Sequence, residues 1–157
     1  MQGKMRLKEK AMNLEEAHSF LAAAPVGRLA TISENGYPYV VPVHFVYLDN
    51  KIYFHCAKEG HKLENIKKTP FVCFEADEMT GIIDADEPCD TSTGFKSVIA
   101  FGKAQIVEDE SIKIRALKEI IRKYIPESAN SPLVQESVAA TAVVEIEIEQ
   151  ISGKASR

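Results

Sequence analysis

The stretch TAVVEIEIEQI, from Thr141 to Ile151, restricts the fold more than any other part of the chain. Val144, Ile146 and Ile148 alternate with Glu145, Glu147 and Glu149. Successive side chains on a strand point to opposite faces, so this segment predicts a strand with one face on a core and one toward water. Half-buried strands of this kind are typical of antiparallel sheets. Upstream, VGRLATI leads through Asn35-Gly36, a pair that tolerates the positive φ of a tight hairpin turn, into PYVVPVHFVYL. A second turn, LDNK, leads into IYFHCA, which completes a three-stranded antiparallel meander. Pro38 and Pro42 cannot donate to a ladder, so they mark an edge, a strand end or a bulge. PFVCFEAD and SVIAFGKAQIV supply two further strands, the second interrupted near Gly102.

Three segments carry helical spacing. In NLEEAHSFLAAA, Asn13 and Glu16 form a capping box, Leu14, Ala17, Phe20 and Leu21 share a face, and Pro25 ends the helix. EGHKLENIKK is a short helix with Leu63 and Ile66 turned inward. DESIKIRALKEIIRKYI buries Ile114, Leu117, Ile120 and Ile121. About six strands and three helices predict an α+β fold that is mainly antiparallel β, a barrel flanked by helices. The 157 residues suit one domain, with residues 1–10 as a polar N-terminal extension. Residues 78–94 are acidic and lack a period, which predicts a long variable loop, either functional or disordered.

Charge and composition narrow the function. The net charge of −4 argues against nucleic acid, and no stretch has the apolar length of a membrane span. Cys56, Cys73 and Cys89 are odd in number and form no C-x-x-C pair. With the polar start MQGKMRLKEK, they predict a reducing, cytoplasmic setting. No metal site is expected: His55 and Cys56 are adjacent on a strand and face opposite ways, and no tight zinc-type pair occurs. There is no G-x-S-x-G elbow, and cysteines on strands are more often core residues than nucleophiles. DADEPCD lacks the central glycine and closing glutamate of a calcium loop.

FHCAKEGHKLENIKK, residues 54–68, is different. A strand end, a glycine step at Gly60 and a helix N-terminus follow one another there. Helix N-termini expose unpaired amides and favour anions, and Lys58, His61 and Lys62 surround the spot. Taken alone, this is either a phosphate cradle or a helix with a solvated lysine face.

The segments G-R-L-A-T, P-V-H-F-V-Y, Y-F-H-x-A-x-E-G-x-K and S-V-I-x-x-G-x-A occur in that order. Together they resemble the flavin-binding split-barrel proteins related to pyridoxamine 5′-phosphate oxidase, and most nearly the 5-nitroimidazole-resistance group. The resemblance implies a six-stranded split β-barrel with flanking helices that binds FMN in a homodimer, with flavin at the interface. It implies an oxidoreductase that passes electrons to a small-molecule substrate such as a nitro compound. The alternatives are a flavin- or haem-binding module without turnover, or a pyridoxamine 5′-phosphate oxidase-like enzyme. By position, Lys58, Gly60, His61 and Lys62 fall at the FMN phosphate, and Phe54 and His55 at phosphate and ribityl. Val41, Pro42, Val43 and His44 run along the ring edge, and Ser97 meets the ring system. His44 is the candidate proton donor or substrate contact. The chain has no Trp and so lacks the C-terminal Trp and Arg pattern of the true oxidases, which weakens the second alternative.

Overall fold

The computed structural model describes residues 5–156, so residues 1–4 of the expected extension lie outside the described part. The strands are β1 (Gly27–Ile32), β2 (Pro38–Val43), β3 (Phe45–Leu48), β4 (Lys51–Ala57), β5 (Phe71–Ile83), β6 (Ser92–Ile106) and β7 (Thr141–Ser156). The helices are α1 (Leu14–Ala23), α2 (His61–Lys68), α3 (Glu110–Tyr124) and α4 (Gln135–Ala140). The strands form one antiparallel sheet in the order β2-β1-β5-β6-β7-β4-β3.

The two edge strands of this sheet are neighbours in sequence. Only His44 separates β2 from β3, so the sheet has to curl until its edges nearly meet. The result is an open, split barrel. Its stagger is large. The rung through Pro42 runs Arg28, Glu75, Ile99, Ser152, whereas the rung through Phe45 runs Phe54, Val144. PYVVPVHFVYL therefore forms two strands where the sequence predicts one. It changes ladder partner at His44, because neither β1 nor β4 can pair with its whole length around a curved wall. Read as one interrupted strand, it leaves six around the barrel.

The barrel interior is filled by Leu29, Phe45, Ile52, Phe54, Phe74, Val98, Val144 and Ile146. Phe45 and Phe74 meet edge to face, with ring centroids 4.8 Å apart. On the outside, Ala116 and Ile120 of α3 cover Val46, Tyr53 and Val143 in a second core. That cover corrects the reading of β7. Glu147 and Glu149 are exposed, but Glu145 is only 4% exposed. It accepts hydrogen bonds from the Tyr53 hydroxyl (2.6 Å), Lys51 Nζ (2.9 Å) and Gln105 Nε2 (3.1 Å). Burial would raise its pKa, and these three donors outweigh burial and lower it.

Residues 78–94 are not an irregular loop. β5 and β6 continue outward as a hairpin arm with a register shift between Met79 and Gly81, leaving residues 84–91 as the connection. The arm is almost wholly solvent-exposed, so no core face imposes an apolar alternation on it. The short α4 is also an addition to the three expected helices; its six residues are too few for a periodic signal. Among the described residues no helix is long and apolar enough to cross a membrane.

Gly102 sits at a register shift of β6, where a Cβ would lie 2.1 Å from the backbone oxygen of Glu147. A backbone carbonyl within a ladder cannot move aside cheaply. Gly102→Ala is expected to destabilise the fold by about 1–3 kcal/mol, measured by urea unfolding.

Candidate functional site

The Phe54–Lys68 region has the expected architecture. β4 ends at Ala57, Gly60 takes a φ of +134°, and α2 starts at His61. That φ belongs to glycine, since a Cβ would strain the backbone there. The first helical bonds are donated by Leu63 and Glu64 to the Gly60 carbonyl, at 2.9 and 3.2 Å. The amides of His61 and Lys62 thus point out of the helix end without a helical acceptor, and no side chain caps them. Lys58 is exposed nearby, and Lys62 is half-buried close enough to Cys56 to favour its thiolate. Burial still raises the Cys56 pKa on balance, so this thiol is a poor nucleophile at neutral pH.

His61 is braced from the side. Its Nε2 lies 3.0 Å from Ser33 Oγ, and its ring packs on Tyr39 at 4.5 Å. One turn on, buried Asn65 donates to Thr31 Oγ1 (2.9 Å) and Ser33 Oγ (3.5 Å). Residues four apart share a helix face, so His61 and Asn65 together pin α2 to β1. Sequence reasoning missed Ser33, Tyr39 and Asn65. The i, i+4 spacing of two polar residues beside Leu63 and Ile66 was the available signal.

The second cluster surrounds the crossing residue. His44 is exposed on the outer barrel face, and its ring stacks on Tyr124 at 4.5 Å. The register that faces Phe45 with Phe54 puts His44 beside His55. Burial, with a smaller contribution from His44, lowers the His55 pKa. The Tyr124 hydroxyl accepts from the Phe45 amide (2.9 Å) and lies 2.9 Å from the carbonyls of Phe45 and Pro25. Lys123 Nζ donates to the carbonyls of Ala24 (2.7 Å) and Phe45 (3.1 Å) and sits 4.2 Å above the Phe45 ring. The end of α3 thereby ties the β2–β3 crossing to the end of α1. Neither Lys123 nor Tyr124 was legible as a site residue, because their partners are backbone groups distant in sequence.

The other expected site residues are dispersed. Phe54 is fully buried in the barrel, and Val41 and Val43 pack against that core. What they offer outward is backbone: β2 pairs only with β1, so alternate peptide groups of Val41–Val43 face away from the ladder. Pro42 is exposed. Ser97 lies on β6, paired with Asp77 and Lys154 and three places from β2 in the sheet order. One chain alone does not bring Ser97 to the His55–Lys62 end. Among the described residues, no three His, Cys, Asp or Glu side chains converge as metal ligands would.

The profile of the pyridoxamine 5′-phosphate oxidase family matches residues 13–155. The chain belongs to this family. Comparison with curated proteins finds no match. Among solved structures, it is similar to a candidate 5-nitroimidazole antibiotic resistance protein from Bacteroides thetaiotaomicron. The identity is 25% and the TM-score 0.81, over 92% of this chain and 86% of that one. A FAD-binding protein from Mesorhizobium loti is 26% identical with a TM-score of 0.69, over 94% and 97% of the two chains. The flavocytochrome Anf3 from Azotobacter vinelandii shares the fold, with a TM-score of 0.86 at 24% identity, over 98% and 72%. The family and the α+β split-barrel expectation are thus borne out.

Burial lowers the Lys123 pKa to about 8, against 10.5 for a free lysine. Below pH 8 the folded chain bears the cost of a half-buried ammonium. Between pH 8 and 10.5 the unfolded chain holds more protons, so this group's contribution to stability rises with pH. Relative to Lys123→Met, the parent chain is expected to gain about 1 kcal/mol across that window, discounted for solvent screening, in urea titrations at each pH.

Proposed function

We propose that this protein is an FMN-dependent oxidoreductase of its family that acts as a homodimer on a small-molecule electron acceptor of the nitro-compound type. The observation that carries the cofactor is the start of α2. The amides of His61 and Lys62 follow the Gly60 step at a helix end that no side chain caps, and Lys62 lies in the same first turn. This donor set suits a phosphate monoester. Lys62 and the amides of His61 and Lys62 hold the phosphate, with Lys58 at the rim. His61, already engaged by Ser33 and Tyr39, holds the helix end in place and presents its other ring nitrogen. His55 lies at the strand end nearest the ribityl chain. The open backbone of Val41–Val43 and the His44 imidazole border the ring. FMN supplies electron transfer, and the chain supplies binding, orientation and electrostatics. The names of the Bacteroides and Mesorhizobium relatives support a flavin site and nitro chemistry.

The homodimer has its own support. Ala30, Ile32 and Val40 share the outer face of β1 and β2, and Cys73, Phe71 and Phe101 continue it across β5 and β6. Val40 is 57% exposed and Phe71 55%, an apolar sheet face of the kind a second copy would cover. A partner seated there also supplies the missing half of the site, including Ser97.

The purified protein, or the protein after addition of FMN, is expected to show the two visible flavin bands. A Soret band would favour the haem-binding module, and a colourless chain that takes up no FMN would end the flavin reading. Anaerobic NADH or NADPH should bleach the bound flavin if the enzyme draws on nicotinamides itself. Lys62→Ala is expected to weaken FMN binding by about 1–3 kcal/mol in a fluorescence titration, the usual loss for a charge-assisted hydrogen bond. By light scattering the parent chain should have twice the chain mass. Val40→Glu with Phe71→Glu should give monomers that bind FMN poorly.

A further inference from the structure

We infer that the outer sheet face joins a second copy of this chain with uptake of protons by its Arg28–Glu75–Asp77 cluster, which makes dimer formation a pH-sensitive switch. The inference rests on the homodimer reading of that face and adds its regulation. Two successive outward-facing rungs of the sheet meet there. One runs Val40, Ala30, Cys73, Phe101 and carries no charge. The next on the same face runs Pro42, Arg28, Glu75, Ile99, so an ion cluster sits within an otherwise apolar patch. Arg28 Nη1 donates to Glu75 Oε2 at 3.0 Å and also to Asp77 Oδ1. Two carboxylates thus share one guanidinium nitrogen. When all three groups are ionised, the cluster has one negative charge in excess.

In the single chain these side chains are 47%, 29% and 45% exposed, so water screens the excess charge. Burial and the neighbouring Asp77 already raise the Glu75 pKa, outweighing Arg28, which lowers it. The surrounding groups do not cancel the excess. Cys73, next to Glu75, keeps its thiol protonated, because burial and Glu75 both raise its pKa. In line with Asp77 on β6 and β7 stand Ser97 and Lys154, and Lys154 Nζ lies over the Phe95 ring, 5.5 Å from its centroid. On its other side Asp77 shares a cavity with Glu78, Lys96 and Glu16 of α1, one cation against two carboxylates. Among the described residues, Arg28 is the one cation within ion-pair distance of Glu75 or Asp77. An isologous contact over this face presents the cluster twice and expels the water that screens it. Protonating one carboxylate in each copy leaves a neutral ion pair bonded to a carboxyl group, which costs less to bury than the charged cluster. The dimer therefore binds these protons more tightly than the monomer does, and association strengthens as pH falls.

The test is the dimer dissociation constant of the full chain, measured by sedimentation equilibrium at pH 8 and pH 5.5 with FMN added throughout. Circular dichroism at both pH values checks that the chain stays folded. The parent is expected to dissociate about tenfold less, or lower still, at pH 5.5 than at pH 8. Glu75→Gln and Asp77→Asn each remove the excess charge and keep a side-chain oxygen for Arg28. Each should dimerise more tightly than the parent at pH 8 and lose most of the dependence on pH. The FMN phosphate also titrates in this range, but it is common to parent and variants, so the difference between their profiles reports the cluster. If the parent is dimeric at every dilution, the same comparison is made on a Val40→Glu background, which weakens the face. The inference is overturned, and the homodimer kept, if the parent dimerises with no more dependence on pH than both variants show. A parent that is monomeric at both pH values removes the homodimer reading and this inference with it.

Discussion

Everything in this fold depends on one short step in the chain, the crossing at His44. β2 and β3 lie at opposite ends of the sheet order and are joined by that residue alone. A flat or gently twisted sheet of this width would place its edges tens of ångströms apart. The covalent link forbids that, so the sheet curls and the barrel nearly closes without a ladder between its edges. The crossing would be a weak point if left to itself. It is held by Tyr124 and Lys123, whose side chains bond the peptide groups of Pro25, Ala24 and Phe45. Burying an ammonium without a carboxylate is costly, and its depressed pKa reflects that cost. The lysine satisfies carbonyls of two separate elements at once.

The same curvature sets the geometry of the candidate site. The β3–β4 hairpin register puts His44 beside His55, at the crossing where the two edges of the curled sheet approach. The curvature also sets the start of α2 beyond the end of β4, over the β1–β2 hairpin. There the Ser33, Thr31 and Tyr39 side chains meet His61 and Asn65.

Much of this was legible in the residues. The alternation in TAVVEIEIEQI and the Asn13–Glu16 capping box each specify local backbone geometry with few alternatives, and the structure has both. At Asn35-Gly36 it has the hairpin, but only Gly36 takes a positive φ, and the turn with positive φ at both positions is Asp49-Asn50. The Gly60 step before His61 could be read as a possible cradle because glycine, helix end and lysines are contiguous. The break at His44 was not legible, since both halves of PYVVPVHFVYL are good strand and only the choice of partner divides them. Residues 78–94 were misread because an arm in solvent has no apolar face to signal its period.

Glu145 marks the boundary most clearly. By sequence it is one of three glutamates on a polar face, and nothing local separates it from Glu147 and Glu149. Only α3, packed across that part of β7, buries it and gives it Tyr53, Lys51 and Gln105 as donors. The sequence by itself determined most of the strands, three of the helices and the glycine step before His61, because these follow from side chains within one turn or one pleat. The tertiary structure alone decided which faces are covered and which edge strands approach. Those depend on sheet curvature and helix packing, and contacts made across the barrel leave no periodic trace in the chain.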